Sequence, residues 1–210
     1  QQMPFSDGSA VRLTVARYYT PTGRSIQKPY VNGDEKSYQM DLINRINHHE
    51  LFSKDSIHFD ESMKYKTSAG RTVYGGGGVM PDVFVPLDTL QYTELYRKIS
   101  RANLIVNAST KYINNNRKKL AGKYTDFDTF NAAYSVPEAL LKEIFEKATE
   151  KDLKPKDDAE QQATADQLAF TLKALVAYDL WSRNEYLRII NERDDIVNRA
   201  LEILKEEAPQ

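Results

Sequence analysis

The fold is decided by two stretches, the first of which is Arg12-Leu-Thr-Val-Ala-Arg-Tyr-Tyr-Thr-Pro-Thr-Gly-Arg-Ser-Ile-Gln27. Apolar and polar residues alternate through residues 9–19 with frequent β-branched side chains, which predicts a β-strand. Asp7-Gly8 ahead of it indicates a turn, so Met3-Pro4-Phe5 is predicted to be the other arm of a hairpin. Thr20-Pro-Thr-Gly23 predicts the turn that ends the strand.

The second stretch is Gly75-Gly-Gly-Gly-Val-Met-Pro-Asp-Val-Phe-Val-Pro-Leu-Asp88. Its glycine run lacks the Gly-Lys-Ser/Thr of a P-loop and the spaced glycines of a dinucleotide fingerprint, so we interpret it as a turn with positive φ angles. The apolar run Val83-Phe-Val85 predicts a second strand. Pro81 and Pro86 bracket that run, which favours a short strand or a sheet edge.

Helical patterns fill the remainder of the chain. Residues 31–72 are predicted to be an insertion of helix and loop, in which Asp34 caps a helix marked by Tyr38, Leu42 and Ile46. From Thr89 onward the apolar spacing is helical to the end. One long helix is predicted through Leu95, Ile99, Ala102, Ile105 (or Val106), Ala108 and Tyr112. Further helices are predicted from a capping box at Ser135-Val-Pro-Glu138, from Leu168 to Leu180, and from Ile196 to Leu204.

The predicted fold class is therefore α+β with two parts. Residues 1–88 carry the strands and the helical insertion 31–72, and residues 89–210 form an all-helical lobe. A chain of 210 residues is long enough to bury about 70% of its unfolded surface in this way.

Composition narrows the classes of partner. The 29 basic and 30 acidic residues are mixed along the chain, so neither a nucleic acid nor an anionic membrane surface is expected to bind. No apolar run reaches the length of a membrane span. There is no cysteine, which excludes disulfides, thiolate metal sites and a cysteine nucleophile. The sequence begins without an initiator methionine or a signal peptide, and we expect it to be part of a longer protein.

No catalytic, cofactor-binding or metal-binding residue is assigned from the pattern. His48, His49 and Glu50 with His58 are metal-ligand types, but adjacent histidines on a helix point about 100° apart, so solvated side chains are favoured. Ser53, His58 and Asp60 could be written as a triad, but the Gly-x-Ser-x-Gly nucleophile elbow is missing.

A cluster of cationic and aromatic residues near the first strand is the remaining candidate site. Its members are types that bind an anion or a peptide carboxylate, although structural roles are favoured because alternation places Arg17 on the apolar face. The cluster consists of Arg12, Arg17, Arg24, Tyr18 and Tyr19.

The two opening stretches resemble the carboxy-terminal processing proteases, also called tail-specific proteases, a family of serine peptidases. Asp7-Gly-Ser9 and Tyr19-Thr-Pro-Thr-Gly-Arg-Ser-Ile-Gln27 match the run that follows the family's catalytic lysine. Gly78-Val-Met-Pro-Asp-Val-Phe-Val85 matches its Gly-x-x-Pro-Asp-x-x-Val strand. The helical lobe is similar to the variable carboxy-terminal extension of such proteases in Bacteroidetes-like bacteria.

The resemblance implies a cell-envelope or periplasmic serine endopeptidase that cleaves polypeptides near their carboxy termini. In the family, a lysine acts as general base toward a serine nucleophile, backbone N–H groups hold the oxyanion, and a PDZ domain captures the substrate tail. By the motif order, the serine, the lysine of the Gly-Lys-Gly motif and the PDZ domain would precede Gln1. The family's lysine-orienting glutamine falls at or just before Gln1 and is not assigned to a residue.

The resemblance, its alternative and the missing strand neighbours each give an expectation. The chain by itself is expected to be an inactive portion of the peptidase, holding closing strands of its core, and no cofactor is required. The alternative is an independent helical module for interaction or dimerisation. A strand at residues 9–19 without its core neighbours would also expose an edge, so copies are predicted to associate through it.

Overall fold

The structure is a computed structural model in which residues 1–28, 31, 33–88 and 91–207 are described. The chain divides into two compact units, residues 1–87 and 88–210. Helices dominate, and the described strands form two small two-stranded sheets. The predicted α+β class is confirmed at this coarse level.

The first unit begins with the predicted hairpin. Strand β1 (Gln2–Pro4) pairs antiparallel with β2 (Ala10–Arg12), with Met3 opposite Val11. The Asp7 carboxylate closes the turn by accepting from the backbone N–H of Ser9 at 2.9 Å and from its hydroxyl at 2.6 Å. These two bonds also hold the pKa of Asp7 below its usual value.

The strand predicted over residues 9–19 is much shorter in the structure. Strand β2 ends at Arg12, and the segment from Thr14 to Tyr19 has no regular secondary structure. The sequence pattern there is suited to a strand, but a strand also needs a neighbour to bond its backbone. No described segment pairs with these residues.

The insertion holds the predicted helix and one hairpin that was not predicted. Helix α1 (Glu35–Asn47) is capped by Asp34, whose carboxylate accepts from the N–H of Ser37 at 3.1 Å, as predicted. Strands β3 (Lys64–Lys66) and β4 (Thr72–Tyr74) pair antiparallel through a turn in which Gly70 has φ 77°. Each of these strands has three residues, which is too few to show a reliable alternating pattern. The turn at Ser68-Ala-Gly70 was therefore the sequence signal for this hairpin.

The prediction of a second strand at Val83-Phe-Val85 is wrong. Residues 79–88 have no strand assignment, and Val79 and Val83 are exposed. Pro81 and Pro86 have no backbone N–H and cannot donate a hydrogen bond to a neighbouring strand. This segment is therefore poorly suited to a regular β-ladder.

The second unit consists of seven helices among its described residues. They are α2 (Glu94–Arg101), α3 (Leu104–Lys123), α4 (Phe127–Ala133), α5 (Glu138–Glu150), α6 (Asp158–Leu180), α7 (Arg183–Ile190) and α8 (Asp195–Glu207). None of the helices in the described ranges is long and apolar enough to cross a membrane.

Two details of the helix predictions are corrected. The long helix predicted from Leu95 to Tyr112 is split into α2 and α3, because Asn103 adopts a left-handed conformation with φ 58°. The capping box at Ser135 is not formed, since α5 begins at Glu138 with Pro137 as its N-cap and no side-chain cap bond. Ser135 therefore precedes the N-cap by two residues, beyond the position from which it could close a box.

The hydrophobic core lies in the second unit. Every fully buried hydrophobic side chain of the described residues falls between Leu95 and Ile189. Helix α6 contributes Leu168 and Leu172 to one cluster, which α2, α3 and α5 complete. The same helix contributes Val176 to a second, aromatic-rich cluster around Phe130.

The first unit, by contrast, has no fully buried residue in its described part. Most of the exposed large hydrophobic side chains belong to it, including Leu13, Val15 and Leu42. Surface apolar residues are ordinary singly, but so many without a core indicate a unit that does not bury its own apolar faces.

A pH effect follows from the aromatic cluster. Burial raises the pKa of Tyr134 well above its usual value of 10.0, and the hydroxyl of Tyr134 donates to that of Tyr112 at 3.5 Å. Above about pH 10 the unfolded chain releases this proton while the folded chain keeps it, so the free energy of unfolding is expected to fall as pH rises. Tyr134→Phe should make this fall shallower in urea titrations at pH 8 and 11.

The matched control is Tyr178→Phe, which removes a hydroxyl from a side chain that is 54% exposed. It is expected to leave the pH slope unchanged. Equal slopes for the two variants would contradict the assignment of the effect to Tyr134.

Candidate functional site

The two stretches that decide the fold come together in the first unit. The guanidinium of Arg24 donates from Nη1 to the backbone oxygen of Tyr74 at 3.3 Å. The N–H of Gly76 donates to the backbone oxygen of Ser25 at 3.2 Å. We call the five residues Arg24, Ser25, Tyr74, Gly75 and Gly76 the junction.

Glycine is required at the junction for two physical reasons. A Cβ on Gly75 would lie 3.1 Å from the Tyr65 ring and 3.2 Å from Arg24 Cγ, so the turn fits closely against its neighbours. Gly76 has φ +83°, and a Cβ there would overlap the sulfur of Met63. The interpretation of the glycine run as a positive-φ turn is confirmed at Gly76 and at Gly78, whose φ is +106°.

The junction contains polar atoms that are buried without a hydrogen-bond partner in the described structure. They are Nε of Arg24 and Oγ of Ser25. Leaving a buried donor or hydroxyl unpaired costs about 1–3 kcal/mol, so such atoms are normally satisfied by a further group. The junction is therefore incompletely satisfied by its own residues.

An open groove of about 510 Å³ lies along the segment that follows β2. It brings together part of the predicted cationic cluster, since Arg17 and Tyr19 both line it. The remaining lining residues are Thr14, Val15, Ala16 and Gln27.

The other members of the cationic cluster lie apart from this groove. Arg12 donates to the side-chain oxygen of Gln2 at 3.0 Å across the hairpin, and Arg24 is part of the junction. Tyr18 is 92% exposed. Arg12 and Arg24 therefore both make contacts within the first unit.

Several residues considered as metal ligands or as a catalytic triad instead form hydrogen bonds with residues two positions away in the chain. Ser53 accepts from the N–H of Asp55 at 3.3 Å, and His58 Nδ1 lies 2.9 Å from the backbone oxygen of Ser56. The Asp60 carboxylate accepts from the hydroxyl of Ser62 at 2.6 Å, which lowers the pKa of Asp60. In the described ranges no group of three metal-ligating side chains is suitable for an ion.

The charged groups next to β3 and β4 are tied to one another. Lys64 donates to Glu61 at 3.0 Å and the hydroxyl of Tyr74 donates to the same carboxylate at 2.9 Å. These bonds lower the pKa of Glu61, chiefly through Lys64, and keep it ionised at neutral pH. A carboxylate stabilised as an anion in this way is unsuited to act as a general acid.

Met63, Tyr65 and Tyr74 belong to the junction's surroundings and were not singled out from the sequence. The sequence signal that could have found them is the turn Ser68-Ala-Gly70, which lies between the two short strands β3 and β4. Strand β4 ends directly before the glycine run. The pairing of β3 with β4 is what brings Met63 near Gly76, and this is a tertiary feature.

In the second unit the buried polar groups serve helix packing. The hydroxyls of Thr93 and Thr164 lie 2.6 Å apart, and Thr93 also donates from its hydroxyl to the side-chain oxygen of Gln167 at 3.2 Å. Thr93 is the N-cap of α2, so this network fastens the start of α2 to α6. We assign it a structural role.

Comparison with known proteins adds one match. The model of a family of unknown function (DUF8443) matches residues 95–182, which lie within the helical unit and make up less than half of the chain. No curated protein and no solved structure matches the chain.

Proposed function

We propose that residues 1–88 supply closing elements to the core of a serine endopeptidase that resembles the carboxy-terminal processing proteases. The single observation that carries the proposal is the junction. The two stretches that resemble the family are separated by about fifty residues, yet Arg24 of the first bonds Tyr74, and Ser25 bonds Gly76. The first motif therefore contacts the turn that leads into the second motif.

The exposure of the first unit supports the same proposal. Its strand-like residues Leu13 and Val15 are 51% and 61% exposed, and its described part has no buried core. A segment that forms one strand of a larger sheet exposes its apolar side chains in this way when the neighbouring strands are absent.

In this proposal the chain's own residues position the core and do not carry out the chemistry. The serine nucleophile and the lysine base belong to sequence outside residues 1–210, where the resemblance places them. The junction would fix the strand that follows the lysine, because a serine–lysine pair requires the lysine amine within hydrogen-bond reach of the serine hydroxyl. Polypeptide substrates and a cell-envelope location are part of the same proposal.

A second candidate concerns the helical unit. The buried hydrophobic residues of its described part fall between Leu95 and Ile189, and the family match at residues 95–182 lies inside that range. A unit that folds on its own core can act as an interaction or dimerisation module without any catalytic role. The two candidates are compatible if the helical unit is an appended lobe of the peptidase.

The test compares the 210-residue chain with the whole polypeptide encoded by its gene, using an unfolded protein such as reduced casein as substrate. The whole polypeptide is expected to hydrolyse casein, and the 210-residue chain is expected to release no fragments. Hydrolysis by the 210-residue chain that survives replacement of every serine would refute the proposal. Inactivity of the whole polypeptide under the same conditions would also count against it.

A pair of glycine variants tests the role of the junction within the whole polypeptide. Gly76→Ala should lower casein hydrolysis by roughly tenfold or more, because the residue must adopt a strained φ and displace Met63. Gly77→Ala is the matched control, since its Cβ would meet no atom within 4 Å and its φ is not positive. It should retain activity within about twofold.

A further inference from the structure

Helix α8 (Asp195–Glu207) presents an apolar face that is exposed in the structure. Ile196 and Leu204 are each 64% exposed, and Leu201 is 48% exposed. At about 100° per residue, these three side chains and that of Ala200 fall within an arc of about 140°. They therefore form one continuous stripe, which we call the α8 face.

The start of α8 is fixed by hydrogen bonds to the residues that precede it. The carboxylate of Asp194 accepts from the N–H groups of Ile196 and Val197 at 2.9 and 3.0 Å, in the manner of an N-cap. The side chain of Asn198 donates to the backbone oxygen of Glu192 at 3.3 Å. The α8 face thus belongs to a helix with a well-defined beginning.

The charges of α8 argue against a membrane surface as the occupant of this face. Residues 195–207 contain four acidic side chains and two basic ones. Helices that lie on anionic bilayers carry lysine and arginine on their polar side instead. The whole chain has a formal net charge of −1, so two copies of it do not repel each other strongly.

The α8 face is complementary to itself when two copies meet in opposite directions. A twofold axis then places the same margin of each helix against the other, so every contact occurs twice. Arg199 and Glu206 both lie at one margin of the stripe, about two turns apart. The alignment that sets Arg199 of one copy beside Glu206 of the other also sets Ala200 opposite Leu204, a small side chain against a large one.

The present partner of Arg199 is compatible with this contact. Its guanidinium donates to Glu202 of the same helix at 2.8 Å, and the two side chains are 44% and 62% exposed. A guanidinium has five N–H donors, so it can bond a second carboxylate at the same time.

We propose that the α8 face binds the α8 face of a second copy of this chain in an antiparallel helix pair, with Arg199 of each copy beside Glu206 of the other. The inference deepens the second candidate function, in which the helical unit is an interaction module, and does not depend on the peptidase. Two helices of 13 residues are about 20 Å long, so their contact stays below the roughly 1,200 Å² at which stable interfaces begin. The association is therefore weak and reversible.

Sedimentation equilibrium of the 210-residue chain tests the pairing. The average mass is expected to rise from that of a monomer toward that of a dimer between roughly 10 and 500 µM, as a small interface predicts. Leu204→Gln should raise the dissociation constant about tenfold or more, because it places an amide within the apolar stripe. The matched control is Val106→Gln on α3, where the side chain is 56% exposed, and it should change the constant by less than about twofold.

Exchange of charges tests the direction of the pair. Arg199→Glu alone and Glu206→Arg alone each bring like charges together in a homodimer, so each should associate about tenfold more weakly than the unchanged chain. An equimolar mixture of the two variants should recover the association, because each variant meets the opposite charge in the other. In a parallel pair opposite margins meet, which would bring Glu206 beside Lys205 of the other copy. Lys205→Glu is therefore the control and should leave an antiparallel pair within about twofold.

The remaining outcomes would overturn the proposal. A chain that stays monomeric across the concentration range would leave the α8 face to a different partner. Association that survives Leu204→Gln would lie on another surface, such as the strand edge predicted at residues 9–19. A charge-exchanged mixture no stronger than its components, or a marked weakening by Lys205→Glu, would reject the antiparallel pair.

The readout is separate from proteolysis, so this proposal and the peptidase can fail independently. Association through α8 in a chain whose whole polypeptide does not hydrolyse casein would uphold the helix pair and reject the peptidase. Casein hydrolysis together with a strictly monomeric chain would uphold the peptidase and reject the helix pair.

Discussion

Removal of residues 1–87 is expected to leave a helical protein that unfolds cooperatively, with its thermal midpoint within about 3 °C of that of the whole chain. The physical reason is the location of the core. Every fully buried hydrophobic side chain among the described residues lies between Leu95 and Ile189. Hydrophobic burial is the largest favourable contribution to folding, and this deletion removes none of these side chains.

The measurement is circular dichroism at 222 nm during heating, for the whole chain and for residues 88–210. The complementary fragment, residues 1–87, is expected to show no cooperative transition, because its described part contains no buried residue. A fall of about 10 °C or more in the midpoint of residues 88–210 would contradict the prediction and show that the first unit stabilises the second.

A deletion at the other end of the chain is the control. Removing residues 158–210 takes away α6, which supplies Leu168 and Leu172 to one cluster and Val176 to the other. Cooperative unfolding should be lost, since both clusters would be opened at once. A truncated chain that kept its midpoint would show that α6 is not the shared element of the core.

Phe130→Ala is expected to lower the free energy of unfolding by about 3–5 kcal/mol. The Phe130 side chain is 0% exposed and lies at the centre of an aromatic cluster. Its ring stacks on Tyr134 with centroids 4.6 Å apart and meets Tyr124 and Trp181 edge-on, each at 5.3 Å. The substitution removes these contacts and leaves a cavity that rigid neighbours on α4, α6 and α7 cannot fill.

Urea unfolding of residues 88–210, followed by tryptophan fluorescence, gives the value directly because Trp181 is the chain's single tryptophan and contacts Phe130. Tyr178→Ala is the matched control. It removes a ring of similar size from α6 at a position that is 54% exposed, so its cost should stay below about 1 kcal/mol. A cost for Phe130→Ala no larger than that of the control would contradict the core assignment.

The local elements were predicted well where sequence signals act within a few residues. Asp34 before the Tyr38, Leu42, Ile46 spacing predicted both the start and the type of α1. Asp7-Gly8 predicted a hairpin whose turn is closed by the side chain of Asp7 itself. In both cases the residue that determines the conformation also makes the bond, so no distant partner is needed.

The predictions failed where a strand needs a distant partner or where one residue adopts a left-handed backbone conformation. The apolar run Val83 to Val85 and the alternation beyond Arg12 form no strand in the described structure, because a ladder depends on a second segment. The stripe through α2 and α3 did not reveal the left-handed residue Asn103, since apolar spacing reports which face is buried and not the φ angle.

The sequence by itself determined the mixed class, the helical character of the region predicted from Thr89 onward, and the resemblance of its two opening stretches to one family of peptidases. Only the tertiary structure decided that these stretches meet, through the bond between Ser25 and Gly76. Only it decided that the buried hydrophobic residues of the described ranges all lie in the helical unit. Periodicity and turns are encoded in neighbouring residues, whereas contact and burial depend on residues far apart in the chain, which become neighbours only when the chain folds.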